Sequence, residues 1–200
     1  GPGVDHLAVG DRVAYVASKP GSYAEARVLP ALPVVRLPDA IDAPRAAAMM
    51  LKGLTVLYLL QRTRPQRDLQ PGAYIVWHAA AGGVGLIACQ WAAALGLRLI
   101  ATAGSPDKCQ LALRHGAAHA IDYRREDVVA RVREITGGRG VDVVYDPVGG
   151  DFAEPALRSV GWRGRLLVVG FAAGEIPKIP ANLLLLWFVG GVVALCGAFC

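Results

Sequence analysis

The chain has 200 residues, an apolar fraction of 54% and a formal net charge of +5. This length allows one large domain, or one domain with part of another, and the apolar share is enough for a sizeable core. The mild basic excess suits a small anionic ligand; with no lysine or arginine block and no basic motif interleaved with aromatics, a nucleic-acid partner is not expected.

Four cysteines, Cys89, Cys109, Cys196 and Cys200, show no C-x-x-C spacing. They are read as the reduced thiols of a cytoplasmic protein, not as a disulfide framework. The opening residues, Gly1 to His6, contain no apolar run of the kind a signal peptide needs, so none is expected.

In chain order, Gly10-Asp11-Arg12 reads as a turn leading into a strand at Val13-Ala14-Tyr15. Gly21 to Val28 alternates apolar and polar residues and predicts a second strand. Pro30, Pro33 and Pro38 then mark a loop. This strand-rich opening is too short to close a barrel, so residues 1–45 are read as part of a β domain. Asp42 is the expected N-cap of a long helix running through Ala46 to Leu60, with Gly53 inside it. Thr55 and Tyr58, three apart, are expected on one helix face, with Tyr58 otherwise a core residue.

From residue 74 onward strands and helices alternate. Strands are predicted at 74–77, 98–102, 118–121, 141–145 and 165–169. Helices are predicted at 84–95, from the Ser105 cap to Gly116, at 126–135 and at 152–160, the last weakened by Pro155. Repeated β-α units of this length indicate an α/β fold with a doubly wound parallel sheet, over residues 46–200. The uncharged stretch from Leu183 to Cys200 is read as a short helix followed by a buried strand at Val192 to Leu195. A membrane helix is the alternative, disfavoured by the Gly190-Gly191 break.

The most informative stretch is the apolar strand ending at Trp77, followed by His78-Ala79-Ala80-Ala81-Gly82-Gly83-Val84-Gly85. Strand, small-residue turn and helix is the context in which a glycine fingerprint has physical meaning. Alanine (Ala80) takes the first place of G-x-G-x-x-G. Gly82 lets backbone approach a pyrophosphate, and Gly85 lets the helix pack on the strand. The helix start at Gly83 and Val84 offers free N–H groups to phosphates. A tight turn without a ligand is the plainer reading of the same residues.

A site for NAD has an acid about 20 residues beyond this turn, accepting from the ribose 2′-OH. Here the second strand runs out into Thr102-Ala103-Gly104-Ser105, Lys108 follows within a helical turn, and Tyr123-Arg124-Arg125 follows the third strand. Cationic and hydroxyl donors in place of an acid favour a 2′-phosphate, hence NADPH. Against this, Lys108 reads equally as a solvated helix lysine, and the two arginines as part of the next helix start. His78, at the end of the first strand, is read as a core or supporting histidine in preference to a catalytic one. No H-E-x-x-H, cysteine cluster or close carboxylate set suggests a metal, and no G-x-S-x-G marks a hydrolase.

Met50-Leu51-Lys52-Gly53-Leu54-Thr55, the block from His78 to Leu86, Ile121-Asp122-Tyr123-Arg124 and Val143-Val144-Tyr145-Asp146 together resemble the zinc-free NADPH:quinone oxidoreductases, the zeta-crystallin-like branch of the medium-chain dehydrogenase/reductase superfamily. The resemblance implies an incomplete GroES-like segment before a Rossmann NADPH-binding domain, and reduction of quinones or related enones without a metal. Carried over by position, Gly82, Gly83 and Val84 fall at the pyrophosphate, Gly104, Ser105, Lys108 and Tyr123 at the adenosine-phosphate end, and Thr55, Tyr58, Gly170 and Phe171 near the nicotinamide half. It also implies a homodimer through the sheet edge at Val192 to Leu195, with no membrane partner. Against the family pattern, the first part of the GroES-like domain and the segment that returns to it are missing, and Pro147 stands where serine is frequent. Two alternatives stay open: a non-catalytic or truncated dinucleotide-binding protein, and an enoyl reductase of the same superfamily.

Overall fold

Apolar residues in Tyr74–Trp77 (β3) run without alternation, and all four are buried. A strand of this kind needs cover on both faces, which a parallel sheet with helices on each side provides. The structure, a computed structural model, describes residues 3–16, 20–63, 69–179, 182–183 and 190–193. It forms two compact units, Gly1–Thr55 and Val56–Leu195.

In the first unit, Val13–Tyr15 (β1) pairs antiparallel with Val34–Arg36 (β2), Ala14 opposite Val35. The strand expected over residues 21–28 is not formed, and the loop marked by prolines holds β2 instead. Tyr23 and Val28 stand fully exposed, so their alternation has no buried face to serve. Hydrogen bonds from Tyr15 and Arg27 to the Ser22 hydroxyl hold that stretch as a bend. Ala14, Leu37 and Ala46 make a small core, with Ile41 and Met50 packed on it.

The helix Ala43–Leu57 (α1) starts where expected: Asp42 Oδ1 accepts from the Arg45 amide at 2.7 Å, and Pro44 sits in the first turn. It then widens into one π turn, Tyr58–Arg62, closed by Thr63 N–H donating to Tyr58 O. Tyr58 is the first residue of that wider turn, directly after the α-helical turn that holds Thr55. Among the described residues this continuous helix, Ala43–Arg62, is the one long and apolar enough to cross a membrane by length and composition. Val56, Leu59 and Leu60 at its end are buried in the core of the second unit.

The second unit is a six-stranded, all-parallel sheet in the order β5-β4-β3-β6-β7-β8. Its strands are β3, Arg98–Ala103 (β4), His119–Asp122 (β5), Val141–Asp146 (β6), Val160–Val168 (β7) and Gly190–Val193 (β8). This is the order of a dinucleotide-binding sheet, with the reversal between β3 and β6. The helices are Gly83–Ala94 (α2), Pro106–Arg114 (α3), Val128–Ile135 (α4) and Ala153–Ser159 (α5). Alanines and Cys89 of α2 and Ala112 of α3 cover one sheet face with Ile75, Trp77, Leu99 and Tyr145. Val132 of α4 and Ala156 and Leu157 of α5 cover the other with Val76, Ile100 and Val144. Trp77 and Tyr145, in register on neighbouring strands, stack at 4.5 Å.

Most boundaries in this unit shift by one or two residues, and the start of β7 by five. β7 begins at Val160, not Arg165, and so displaces the end of the preceding helix. Gly161 and Gly164 allow it: a Cβ on either would come within 2.5 Å of Arg139 O or 2.6 Å of a Val160 methyl, with Val141 O just beyond. The Gly-Trp-Arg-Gly run, left between the expected helix and strand, is part of a bulged strand packed close on β6. Pro155 is tolerated because α5 starts at Ala153, which places the ring in the first turn. The expected C-terminal strand is present as β8. The helix expected before it, and Leu195, Cys196 and Cys200, lie outside the described residues, as does all of 64–68.

Candidate functional site

The β3-to-α2 connection is built by two glycines and one strained alanine. Ala79 takes φ +53°, and its carbonyl accepts from Gly82 N–H at 2.9 Å. Gly82 is the N-cap of α2, with no side chain capping the helix and no acid in its first turn. The first amide groups of α2 are thus left for an external acceptor. A Cβ on Gly85 would lie 2.4 Å from Ala80 O, so glycine is required for this helix to start against this strand.

The turn opens on a cleft of about 250 Å³ at the carboxyl ends of the strands. Ala79, Ala81 and Gly82 form one side; Ala103, Gly104, Lys108 and Tyr123 form the other; Val148 and Phe152, beyond β6, close it with His78 and Thr102 at the floor. Among the described residues no carboxylate lines it. Gly104 and Tyr123 meet closely: a Cβ on Gly104 would stand 2.6 Å from the Tyr123 hydroxyl. Arg124 Nε borders the same corner, 3.4 Å from that point, whereas Arg125 turns to Asp122 at 3.7 Å. Phe152 holds the Tyr123 ring edge-on at 4.9 Å. Ser105 caps α3 by accepting from Lys108 N–H, which places Lys108 on the first turn facing the cleft.

Of the residues marked from sequence, the cleft gathers Gly82, Gly104, Lys108 and Tyr123. Gly83 and Val84 are the first residues of α2, and Ser105 is the cap of α3. Gly170 and Phe171 follow β7; Gly170 N–H donates to Asp146 O, and Phe171 lies against Gly149. Tyr58 packs on the core of the second unit. Thr55 belongs to the first unit, where its hydroxyl donates to Leu51 O at 2.9 Å.

Sequence reading passes over Thr102, Asp146, Val148 and Phe152. Trp77 pairs with Ala101 on one side and Tyr145 on the other, so the next residues, His78, Thr102 and Asp146, lie side by side on the opposite face. His78 Nδ1 and Thr102 Oγ1 are 2.8 Å apart. Asp146 Oδ1 accepts from Val148 and Gly149 N–H at 2.8 and 3.0 Å. Burial pushes the His78 pKa down, opposed by the nearby Asp146 carboxylate, so the ring is neutral. Among the described residues no group of three or more His, Cys, Asp and Glu is placed to hold a metal ion.

The arrangement can take an extended ligand with phosphates over the α2 start and further negative charge near Lys108 and Tyr123. Comparison with known proteins agrees in kind. A family model described as zinc-binding dehydrogenase matches residues 83–197. The chain is 50% identical over 184 residues to a quinone oxidoreductase of Pseudomonas aeruginosa, covering 92% of this chain and 56% of that protein. It is 40% identical over 181 residues to a 2-haloacrylate reductase of a Burkholderia species, covering 90% of this chain and 54% of the relative. The crystal structure of Escherichia coli quinone oxidoreductase complexed with NADPH superposes with a TM-score of 0.89 at 44% identity, over 97% of this chain and 59% of that one. The chain thus spans about half the length of the curated relatives it matches. By sequence match, strand order and glycine turn, it belongs to the zinc-binding dehydrogenase family, in the quinone oxidoreductase branch of the medium-chain dehydrogenase/reductase superfamily.

Proposed function

We propose that the cleft binds NADPH and that the protein reduces quinones or related enones. The observation that carries this reading is the corner of Gly104, Lys108 and Tyr123, where a hydroxyl and an ammonium, and among the described residues no carboxylate, face one space. A ribose 2′-phosphate is recognised by such donors, and a 2′-hydroxyl by an acid that is not there. The uncapped start of α2, with Gly82, Gly83 and Val84, fits the pyrophosphate, and Ser105 holds Lys108 in place.

Bound there, the nicotinamide supplies a hydride, and the protein's part is position and exclusion of water. The tight Gly85 contact fixes where the phosphates lie, and Val148 and Phe152 supply an apolar wall. Thr55, Tyr58, Gly170 and Phe171 are proposed for the nicotinamide half on the family resemblance. Similarity to quinone oxidoreductases and to a 2-haloacrylate reductase supports an acceptor conjugated to an electron-withdrawing group. Zinc independence, a cytoplasmic location and a homodimer through the β8 edge belong to the same proposal; β8 is the last strand in the described sheet order.

The test is NADPH oxidation by the full chain with a simple quinone acceptor, with and without a metal chelator. Quinone-dependent turnover that survives chelation supports the reading. NADPH binding without turnover would leave a dinucleotide-binding protein, and loss on chelation would make the chemistry metal-dependent.

A further inference from the structure

Two buried polar atoms have no partner among the described residues: Nε2 of His78, at the floor of the cleft, and Oδ2 of Asp146, on the neighbouring strand. Their side chains come from neighbouring strands, one step beyond the paired Trp77 and Tyr145, and point to the same sheet face. His78 is 1% exposed and Asp146 fully buried, so neither atom reaches bulk solvent. A buried polar group left unpaired costs more than a hydrogen bond returns, so two such atoms on adjacent residues of neighbouring strands require an explanation.

The chemistry of the pair supplies one. A neutral imidazole has one donor nitrogen and one acceptor. The Nδ1–Thr102 contact is compatible with either tautomer; we take the one in which Nδ1 accepts from the Thr102 hydroxyl, because it leaves the Nε2 proton as a donor on the side of the Asp146 carboxylate. Asp146 Oδ2 is an acceptor, since Oδ1 already takes the Val148 and Gly149 amides. A donor and an acceptor that do not bond each other directly are both satisfied by one molecule that accepts from the first and donates to the second. Water does this and binds in buried polar sites of this kind.

We propose that His78 is a positioning residue of the cleft: through one bound water its Nε2–H holds the Asp146 carboxylate in the rotamer that pins the Val148–Gly149 turn. That turn carries the cleft wall, and Phe152, which follows it, packs edge-on against both His78 and Tyr123. The bridge thus ties the strand bearing the glycine turn to the opposite wall. Its role in the reaction rests on the reading of this cleft as the NADPH site, but its structural content does not.

The test is amide hydrogen exchange on the full chain without cofactor, comparing wild type, His78→Phe and His78→Gln. The Phe variant keeps a ring but loses the donor; the Gln variant restores an N–H near the Nε2 position. The expected result is about tenfold faster exchange at Val148 and Gly149 in His78→Phe, with Ile75 and Val144 unchanged and most protection restored in His78→Gln. Unchanged rates at Val148 and Gly149, or equal acceleration throughout β3 and β6, would overturn the proposal. If His78→Phe does not fold, a high-resolution crystal structure of the wild type decides: solvent density within hydrogen-bond distance of both Nε2 and Oδ2 supports the bridge, and its absence there overturns it. In binding assays His78→Phe should weaken NADPH and NADH by the same factor, because the wall serves both. If wild type binds neither dinucleotide, the cofactor reading fails while the exchange result still stands or falls on its own.

Discussion

The Tyr123 hydroxyl rests where a side chain on Gly104 would begin: a Cβ there would lie 2.6 Å from the oxygen and 2.9 Å from the ring carbon that bears it. The end of β4 and the turn after β5 therefore touch only because residue 104 is glycine. Gly104→Ala should push the hydroxyl out of the corner while leaving the sheet intact. The expected outcome is NADPH affinity reduced about tenfold, the worth of one lost hydrogen bond to a charged group, with a smaller loss for NADH. Parallel fluorescence titrations check it.

Lys108 stands on the first turn of α3, facing the cleft. Lys108→Ala should weaken NADPH about ten- to a hundredfold, the range of a charge-assisted contact with phosphate, and NADH little. The NADPH loss should shrink at high salt, since the contact is partly open to solvent. Equal losses for both dinucleotides would remove Lys108 from the 2′-phosphate site.

Two glycines in helices predict opposite signs. A methyl on Gly85 would meet Ala80 backbone atoms at 2.4 to 2.6 Å, which cannot yield without moving the turn. Gly85→Ala should lower stability by about 1–3 kcal/mol, as overpacking does, and abolish dinucleotide binding. Gly53, inside α1, has nothing within 4 Å of the point where a methyl would stand. Gly53→Ala should therefore stabilise α1, by up to about 1 kcal/mol. Urea midpoints of both variants measure the contrast.

His78 also predicts a pH dependence. Its folded pKa lies below the ordinary 6.5, because burial disfavours the charged ring more than Asp146 favours it. Below about pH 6.5 the unfolded chain takes up a proton that the folded chain refuses, so stability falls as pH drops from there to the folded value. The slope from this residue is at most about 1.4 kcal/mol per pH unit. His119, also shifted down by burial and by Arg98 and Arg131, acts in the same direction. In thermal melts between pH 7.5 and 5, His78→Phe should show a shallower acid loss than wild type; an identical loss would mean that His78 titrates normally.

Residues whose local pattern matches their tertiary setting can be read from sequence. The unbroken apolar run of β3, the small-residue turn and the Ser105-Pro106 start of α3 each specify their geometry within a few residues. Alternation over residues 21–28 misleads because Tyr23 and Val28 have no buried face to fill. The start of β7 is missed because its two glycines, Gly161 and Gly164, carry no strand pattern and serve close contact with the neighbouring strand. In the cleft, the Gly104, Lys108 and Tyr123 corner follows from spacing after a recognised turn. The His78, Thr102 and Asp146 row does not, because it depends on the register of three strands that are distant in the chain. Phe152 reads from sequence as the first residue of a helix; its place against Tyr123 follows from the short 3₁₀ turn, Gly150–Phe152, after β6.

Whether this cleft is built for NADPH is decided by titrating the purified chain with NADPH and NADH in parallel. The expected result is saturable binding of NADPH, about ten- to a hundredfold tighter than NADH, with the preference lost in Lys108→Ala. Equal affinity for the two, or a preference for NADH, would contradict it.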